Sequence, residues 1–239
     1  MLAPSGIAGK PTSPMICPCL FPLLVAVLPL PRGALLHQDD FQADAGRWVT
    51  EQMAGGRVTI AGGALVIDDA NGCTVWWGEK LTGPVVISYE ATVVNQGGPR
   101  DRVSDLNCFW MATDPQHPGD LFRPGHGRTG KFADYDGLRT YYVGQGGNTN
   151  TTTRFRRYAG SGVKPLLPQH DRREPAVLLE GNRPYRITLV ALSDGIVRYY
   201  RDGEMIFEFK DPAPLSEGWF GFRTVHSRLR IRDFKVTRP

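Results

Sequence analysis

The sequence predicts an all-β protein built as an antiparallel sandwich or barrel, and three observations predict it. Short β-rich runs follow one another closely, separated by Gly, Pro, Asn and Asp. No amphipathic helical stretch of useful length follows Leu35. One hairpin is well specified: Val197, Arg198, Tyr199, Tyr200 and Arg201 lead into Asp202-Gly203, and residues 204–209 return. Asp-Gly suits the left-handed dihedrals of a tight two-residue turn.

The strand runs are 48–52, 57–60, 64–67, 73–80, 85–95 and 105–113. They continue at 137–144, 152–158, 184–192, 196–201, 204–209, 218–225 and 228–236. The run from Tyr185 alternates, with Tyr185, Ile187, Leu189 and Ala191 on one face and Arg186 and Thr188 on the other. In 218–225, Phe220 and Phe222 share a face. If they are core, the opposite face presents Trp219, the gap at Gly221 and the cation Arg223. Trp76 and Trp77 are adjacent and must face opposite sides of a strand. Segments 114–136 and 159–182 have no strand period. The first carries Phe122, Phe132 and Tyr135, which predicts an ordered loop packed on a sheet.

Of the 239 residues, 41% are hydrophobic and 22% charged, a soluble globular composition that excludes a disordered chain. Residues 1–36 read as a leader and 37–239 as a single domain. The apolar run 16–30 is broken by Pro18, Pro22 and Pro29 and is too short for a comfortable membrane span. It predicts a secretory signal with cleavage within 31–38, although Arg32 suits the site poorly; a start placed too early or an uncleaved leader is the alternative. Export implies a secreted or periplasmic protein with no stable span in its mature form. Cys17 and Cys19 fall in the leader. Cys73 and Cys108 remain, either as a pair or, the bland reading, as two buried free thiols on neighbouring strands.

The net charge of +4 is unevenly spread. Between Phe122 and Tyr158 the cations are Arg123, Arg128, Lys131, Arg139, Arg154, Arg156 and Arg157, against Asp134 and Asp136. Such a patch attracts an anionic partner unless counter-charges from elsewhere in the chain neutralise it. No nucleic-acid-binding motif accompanies it.

Three stretches carry a resemblance. The ending GWFGFRTVHSRLRIRDFKV and the ribbon VRYYRDGEMIFEF are similar to the closing strands of concanavalin A-like lectin/glucanase domains. The centre, DLNCFWMATDP and FADYDGLRTYYVGQGGNTNTTTRFRRY, resembles jelly-roll proteins of the YesU kind, often encoded among genes for rhamnogalacturonan or other uronate-glycan breakdown. The resemblance spans residues 39–239. It implies a concanavalin A-like jelly-roll sandwich of two antiparallel sheets and a role in polysaccharide utilisation, with a polysaccharide or oligosaccharide as partner. It supplies no catalytic pair. The chain lacks the E-x-D-x-x-E run of laminarinase-like glucanases.

That implication frames the polar residues. Cleaving a uronate polymer by β-elimination needs a cation on the carboxylate, a base for the C5 proton and an acid for the leaving oxygen. His126 or Tyr135 is the candidate base or acid, and Arg139 or Arg154 the carboxylate clamp. Asn107, Trp110, Arg128, Lys131, Tyr141, Trp219, Arg223 and His226 are candidate substrate contacts. Hydrolysis would instead use two carboxylates, locally Asp134 and Asp136. Asp105 and Asn107 share a face and would bind sugar hydroxyls or a structural calcium; no other cofactor or metal is expected. A non-catalytic carbohydrate-binding module is the alternative to either enzyme.

Overall fold

The computed structural model describes Met1 and residues 33–239. Its strands are β1 (Leu35–Asp39), β2 (Trp48–Gln52), β3 (Arg57–Ile60), β4 (Leu65–Asp68), β5 (Cys73–Trp77), β6 (Leu81–Thr82), β7 (Val85–Val93) and β8 (Leu106–Thr113). The second half adds β9 (Arg139–Gly146), β10 (Thr152–Ala159), β11 (Asp171–Arg172), β12 (Pro184–Ala191), β13 (Ile196–Arg201), β14 (Glu204–Lys210), β15 (Glu217–Thr224) and β16 (Arg228–Thr237).

These form two eight-stranded antiparallel sheets. Sheet A runs β14-β13-β12-β7-β16-β4-β3, with β1 beside β16. Sheet B runs β11-β10-β9-β8-β15-β5-β2, with β6 beside β15. Sequence neighbours cross between sheets at β7–β8 and β15–β16, so each sheet's core strands are supplied by both halves of the chain. The fold is a two-sheet sandwich, one of the two architectures the strand pattern predicts, and the jelly roll that the resemblance implies. Asp202 and Gly203 both have positive φ, of 54° and 83°, as the tight turn requires.

The core lies between the sheets. Sheet A contributes Ile87, Ala91, Ile187, Leu189, Tyr199, Leu229 and Ile231; sheet B contributes Trp77, Val75, Trp110, Tyr141, Val143, Phe155, Phe220 and Phe222. Alternation sends their sequence neighbours to the outer faces. Cys73 and Cys108 are both buried free thiols. Burial pushes the Cys108 thiol up to about 12, which keeps it unreactive.

Two expectations about chain boundaries change. The expected leader lies mostly outside the described residues, with Cys17 and Cys19. Leu35 and Leu36, counted with it, belong to β1, because this segment completes the edge of sheet A by pairing with β16. Segment 159–182 contains β11, which adds to the edge of sheet B through Arg154 and Asp171. Val177 and Leu179 beyond it pack on the core.

Phe234 is fully buried and packs on Trp48, Trp77 and Phe220 at ring distances of 5.0, 5.2 and 5.3 Å. Phe234→Ala should cost about 3–5 kcal/mol, read as a lower urea midpoint at unchanged slope.

Candidate functional site

Strand register lays two rows of side chains across the outer face of sheet B. The first is polar and unbroken: Glu51, Thr74, Arg223, Asn107, Gly144, Arg154 and Asp171 are successive cross-strand partners from β2 to β11. The second, two residues along, is Val49, Trp76, Gly221, Phe109, Tyr142 and Arg156. Gly221 is required there, since a Cβ would meet the Trp76 ring at 2.5 Å.

Segment 114–136 covers one end of this face. Leu121 and Tyr135 are fully buried, and join Trp76, Phe109, Tyr142, Tyr158 and Trp219 in a second apolar cluster outside the main core. The roof is tied down by a buried ion pair. Arg128 Nη2 is 2.9 Å from Glu51 Oε1, and both side chains are 3% exposed. The Trp76 indole donates to Glu51 at 3.0 Å, and Arg128 donates to the Leu121 carbonyl. Extra hydrogen bonds of this kind are what make a buried pair tolerable.

Beyond the roof the face opens into a groove of about 390 Å³. Its lining includes Arg102, Asp105, Phe132, Tyr142, Arg154 and Arg156, with Gly144 on the floor. Gly144 leaves room for the Tyr142 ring, whose hydroxyl would lie 3.0 Å from a Cβ there. The Asp105 carboxylate accepts from Arg102 Nη2 and Ser104 Oγ, each at 2.6 Å, and from Asn107 Nδ2 at 3.2 Å. Asn107 Oδ1 is buried and has no hydrogen-bond partner. Arg154 forks onto Asp171 at 2.8 and 3.3 Å. The hydrogen bonds from Arg154, and its charge, hold the Asp171 carboxyl down at about 2. Arg156 has no carboxylate partner among the described residues and donates to the Lys164 carbonyl. Burial raises the Tyr142 phenol well above its ordinary value, so it stays protonated.

The structure separates the sequence-predicted residues. Arg154 lines the groove; Asn107 and Arg223 belong to the polar row beside it. His126 and Tyr135 do not line it, because both lie in the roof. His126 Nδ1 accepts from the Arg128 backbone N–H at 3.1 Å, and Nε2 is 3.7 Å from Glu51. Burial first, then the Arg128 charge, lowers its pKa. Tyr135 is fully buried, and burial raises its phenol. Arg128 is committed to Glu51, and Lys131 is exposed on the roof segment. Arg139 stands exposed at the far end of β9, opposite Ala159 and Thr113. Trp110 and Tyr141 point into the inter-sheet core and offer no face to a ligand; the Tyr141 hydroxyl donates to Asp211 at 2.8 Å. Trp219 is on the outer face as expected, but Phe122 packs edge-on against it and it is 4% exposed. His226 sits in the β15–β16 turn with its Nδ1 at the Ala70 carbonyl, outside the groove lining. Asp134 accepts from the Thr129 N–H and hydroxyl, as a turn cap does, and Asp136 pairs with Lys164. Among the described residues, no three His, Cys, Asp or Glu side chains are grouped to hold a metal ion.

Sequence reasoning missed Arg102 and Lys164, counted Arg156 only in the basic patch and Phe132 only as loop packing, and chose Tyr141 over Tyr142 as a substrate contact. Tyr142 had a signal: of the adjacent pair Tyr141 and Tyr142 only one can face outward, and a one-residue change of parity selects the other.

Residues 67–234 match the family described as Domain of unknown function (DUF6250). The chain belongs to this family. No curated protein matches it. Among solved structures, this DUF6250 chain is similar to a Bacillus subtilis protein of unknown function with a galectin-like fold (TM-score 0.68, 20% identity, covering 86% of this chain and 96% of that one). It is also similar to the carbohydrate-binding module CBM66 from Bacillus subtilis (TM-score 0.53, 12% identity, 80% and 95% covered). A third is the endo-β-1,3-glucanase from Pyrococcus furiosus (TM-score 0.52, 10% identity, 84% and 93% covered). At these identities the likeness shows the galectin-like, concanavalin A-like fold of the DUF6250 chain.

Glu51→Gln would leave Arg128 buried without a counter-charge, and should cost about 3–5 kcal/mol in thermal or denaturant unfolding. Asp171 gives a pH signature. Its folded pKa is depressed, so its stabilisation is complete above the ordinary 3.8 and is lost as pH falls from there through about 2. Arg154→Ala should flatten that acid limb when stability is followed from pH 5 downward.

Proposed function

We propose that this protein binds a uronate-containing saccharide in the groove on the outer face of sheet B and cleaves it by β-elimination. Arg156 is the observation that carries the reading: a guanidinium lining the groove, free of any carboxylate among the described residues, in register with Tyr142. A planar carboxylate satisfies such a fork with two hydrogen bonds. Tyr142, Thr149 and Asn148 line the same groove and supply hydrogen-bonding groups for hydroxyls. The similarity to a carbohydrate-binding module and a glucanase supports a saccharide as ligand. The resemblance to YesU-type proteins and the expected export leader support a uronate glycan met outside the cytoplasm.

In the elimination, Arg156 neutralises the carboxylate and so acidifies the C5 proton. Asp105, the acidic residue of the groove lining, takes that proton. The C5 electron pair forms the C4–C5 double bond, the C4–O bond breaks, and the Tyr142 phenol protonates the leaving oxygen. Asp105 also favours a second reading. Its carboxylate already accepts from Arg102, Ser104 and Asn107, an occupied geometry that suits a protein that binds without cleaving. Two-carboxylate hydrolysis has less support, since Asp105 is the lone acid lining the groove among the described residues.

Incubation with pectic, alginate, ulvan and glycosaminoglycan polymers should generate the ultraviolet absorbance of an unsaturated product. Tyr142→Phe should reduce that rate by about a hundredfold or more, while Arg156→Ala weakens binding. Retarded migration in glycan-containing gels without the chromophore selects the binding reading. Neither retardation nor product on any uronate polymer overturns both.

A further inference from the structure

Arg223 stands out as a cation in an unusual place. It is 2% exposed and has no carboxylate partner among the described residues. Its Nη1 donates to Thr74 Oγ1 at 3.3 Å and to the Gly130 carbonyl, and its guanidinium lies 5.1 and 5.3 Å from the rings of Phe132 and Tyr135. A guanidinium presents five N–H donors, so Arg223 keeps donors without a carboxylate to receive them. Taking a charge out of water without a counter-charge is costly, and aromatic faces offset only part of that cost. The nearest fixed anion along its row, Glu51, is two strands away and already holds Arg128.

Its neighbour on β8 carries the complementary defect. Asn107 is 4% exposed, in register with Arg223, and its Oδ1 accepts nothing. The next partners along the same row are Gly144 and Arg154, both of which line the open groove. The row therefore leads from the groove to a buried cation that has no carboxylate among the described residues and to a buried acceptor that has no hydrogen-bond partner. Phe132 borders both the groove and Arg223. Its ring forms part of the groove lining, packs 5.5 Å from Tyr142, covers Arg223, and is 38% exposed.

We infer that Arg223 and Asn107 form a second, covered subsite for a uronate ring, with Phe132 as its gate. A sugar acid carries both missing partners: a carboxylate to accept from the Arg223 fork, and a vicinal hydroxyl to donate to Asn107 Oδ1. Rotation of the Phe132 ring away from Arg223 joins the subsite to the groove without moving the roof's Glu51–Arg128 anchor. The open groove then holds the adjoining sugar at Arg156. This inference rests on the saccharide reading above and adds to it which residue recognises the second carboxylate.

The test is calorimetric and stopped-flow titration of the full protein with oligomers of galacturonate, glucuronate and mannuronate, and with the same oligomers methyl-esterified. The wild type should prefer the free acids. Arg223→Gln should lose about tenfold or more of that preference while retaining its affinity for the esters, and Arg223→Lys should recover part of it. Phe132→Ala should accelerate association with the free acids. An Arg223→Gln protein that still discriminates acid from ester as the wild type does removes the subsite and leaves the groove reading standing. Unchanged association in Phe132→Ala removes the gate, and serves as the independent readout should Arg223→Gln fail to fold. No binding of any oligomer by the wild type sinks the saccharide reading itself.

Discussion

The outer face of sheet B depends on one buried ion pair. Glu51 on β2 and Arg128 in the roof meet with almost no solvent contact, a geometry that survives only when further hydrogen bonds complete both groups. Trp76 and the Leu121 carbonyl provide them. The pair fixes where segment 114–136 crosses the sheet. That crossing buries Trp76, Phe109 and Trp219 as a second apolar cluster. Whatever the roof leaves uncovered is the groove, so the ion pair at one end of the sheet decides the shape of the opening at the other.

Strand register then decides the chemistry of the opening. Because side chains repeat with a period of two, the same strands that feed the aromatic core supply a polar row on their other face. Glu51, Thr74 and Arg223 come from strands distant in sequence from those of Asn107, Gly144 and Arg154, and only the ladder makes them one row. The charge excess of the middle third is redistributed by pairing. Arg128, Arg154 and Arg157 are matched by Glu51, Asp171 and Asp211 from far along the chain. Arg156 is not matched by a carboxylate, and it faces the groove.

The wall of the groove adds a further constraint. Asn148, Thr149 and Asn150 all have left-handed backbone angles, with φ of 52°, 58° and 57°. That conformation costs roughly 1–2 kcal/mol per residue for non-glycine positions, and it is least natural for a β-branched threonine. The Asn150 side chain holds the turn in place by bonding both the N–H and the carbonyl of Leu179. Strain retained beside an opening is the pattern of segments whose position matters to a ligand. Here it sets Asn148 and Thr149 on the groove lining.

The sandwich was legible in the chain because it is written in local terms: alternating faces, Asp-Gly turns, and the opposite placement of Trp76 and Trp77. Phe220 and Phe222 against Trp219 and Arg223 could be assigned to opposite faces for the same reason, and so could the packing of segment 114–136 onto a sheet. The site was legible only in part. Asn107, Arg154 and Arg223 could be found because their strands were well defined. His126 and Tyr135 were candidates for their acid–base chemistry, yet the Glu51–Arg128 pair ties their loop down as a roof in which Tyr135 is fully buried and His126 faces Glu51. Trp110 and Tyr141 were placed one parity step from the face they occupy. Local periodicity by itself determined the elements and their two faces, since it depends only on backbone geometry. Which face became groove, which cations stayed without a carboxylate and which ring covered Arg223 were decided by the tertiary structure, because each depends on a contact between residues far apart in the chain.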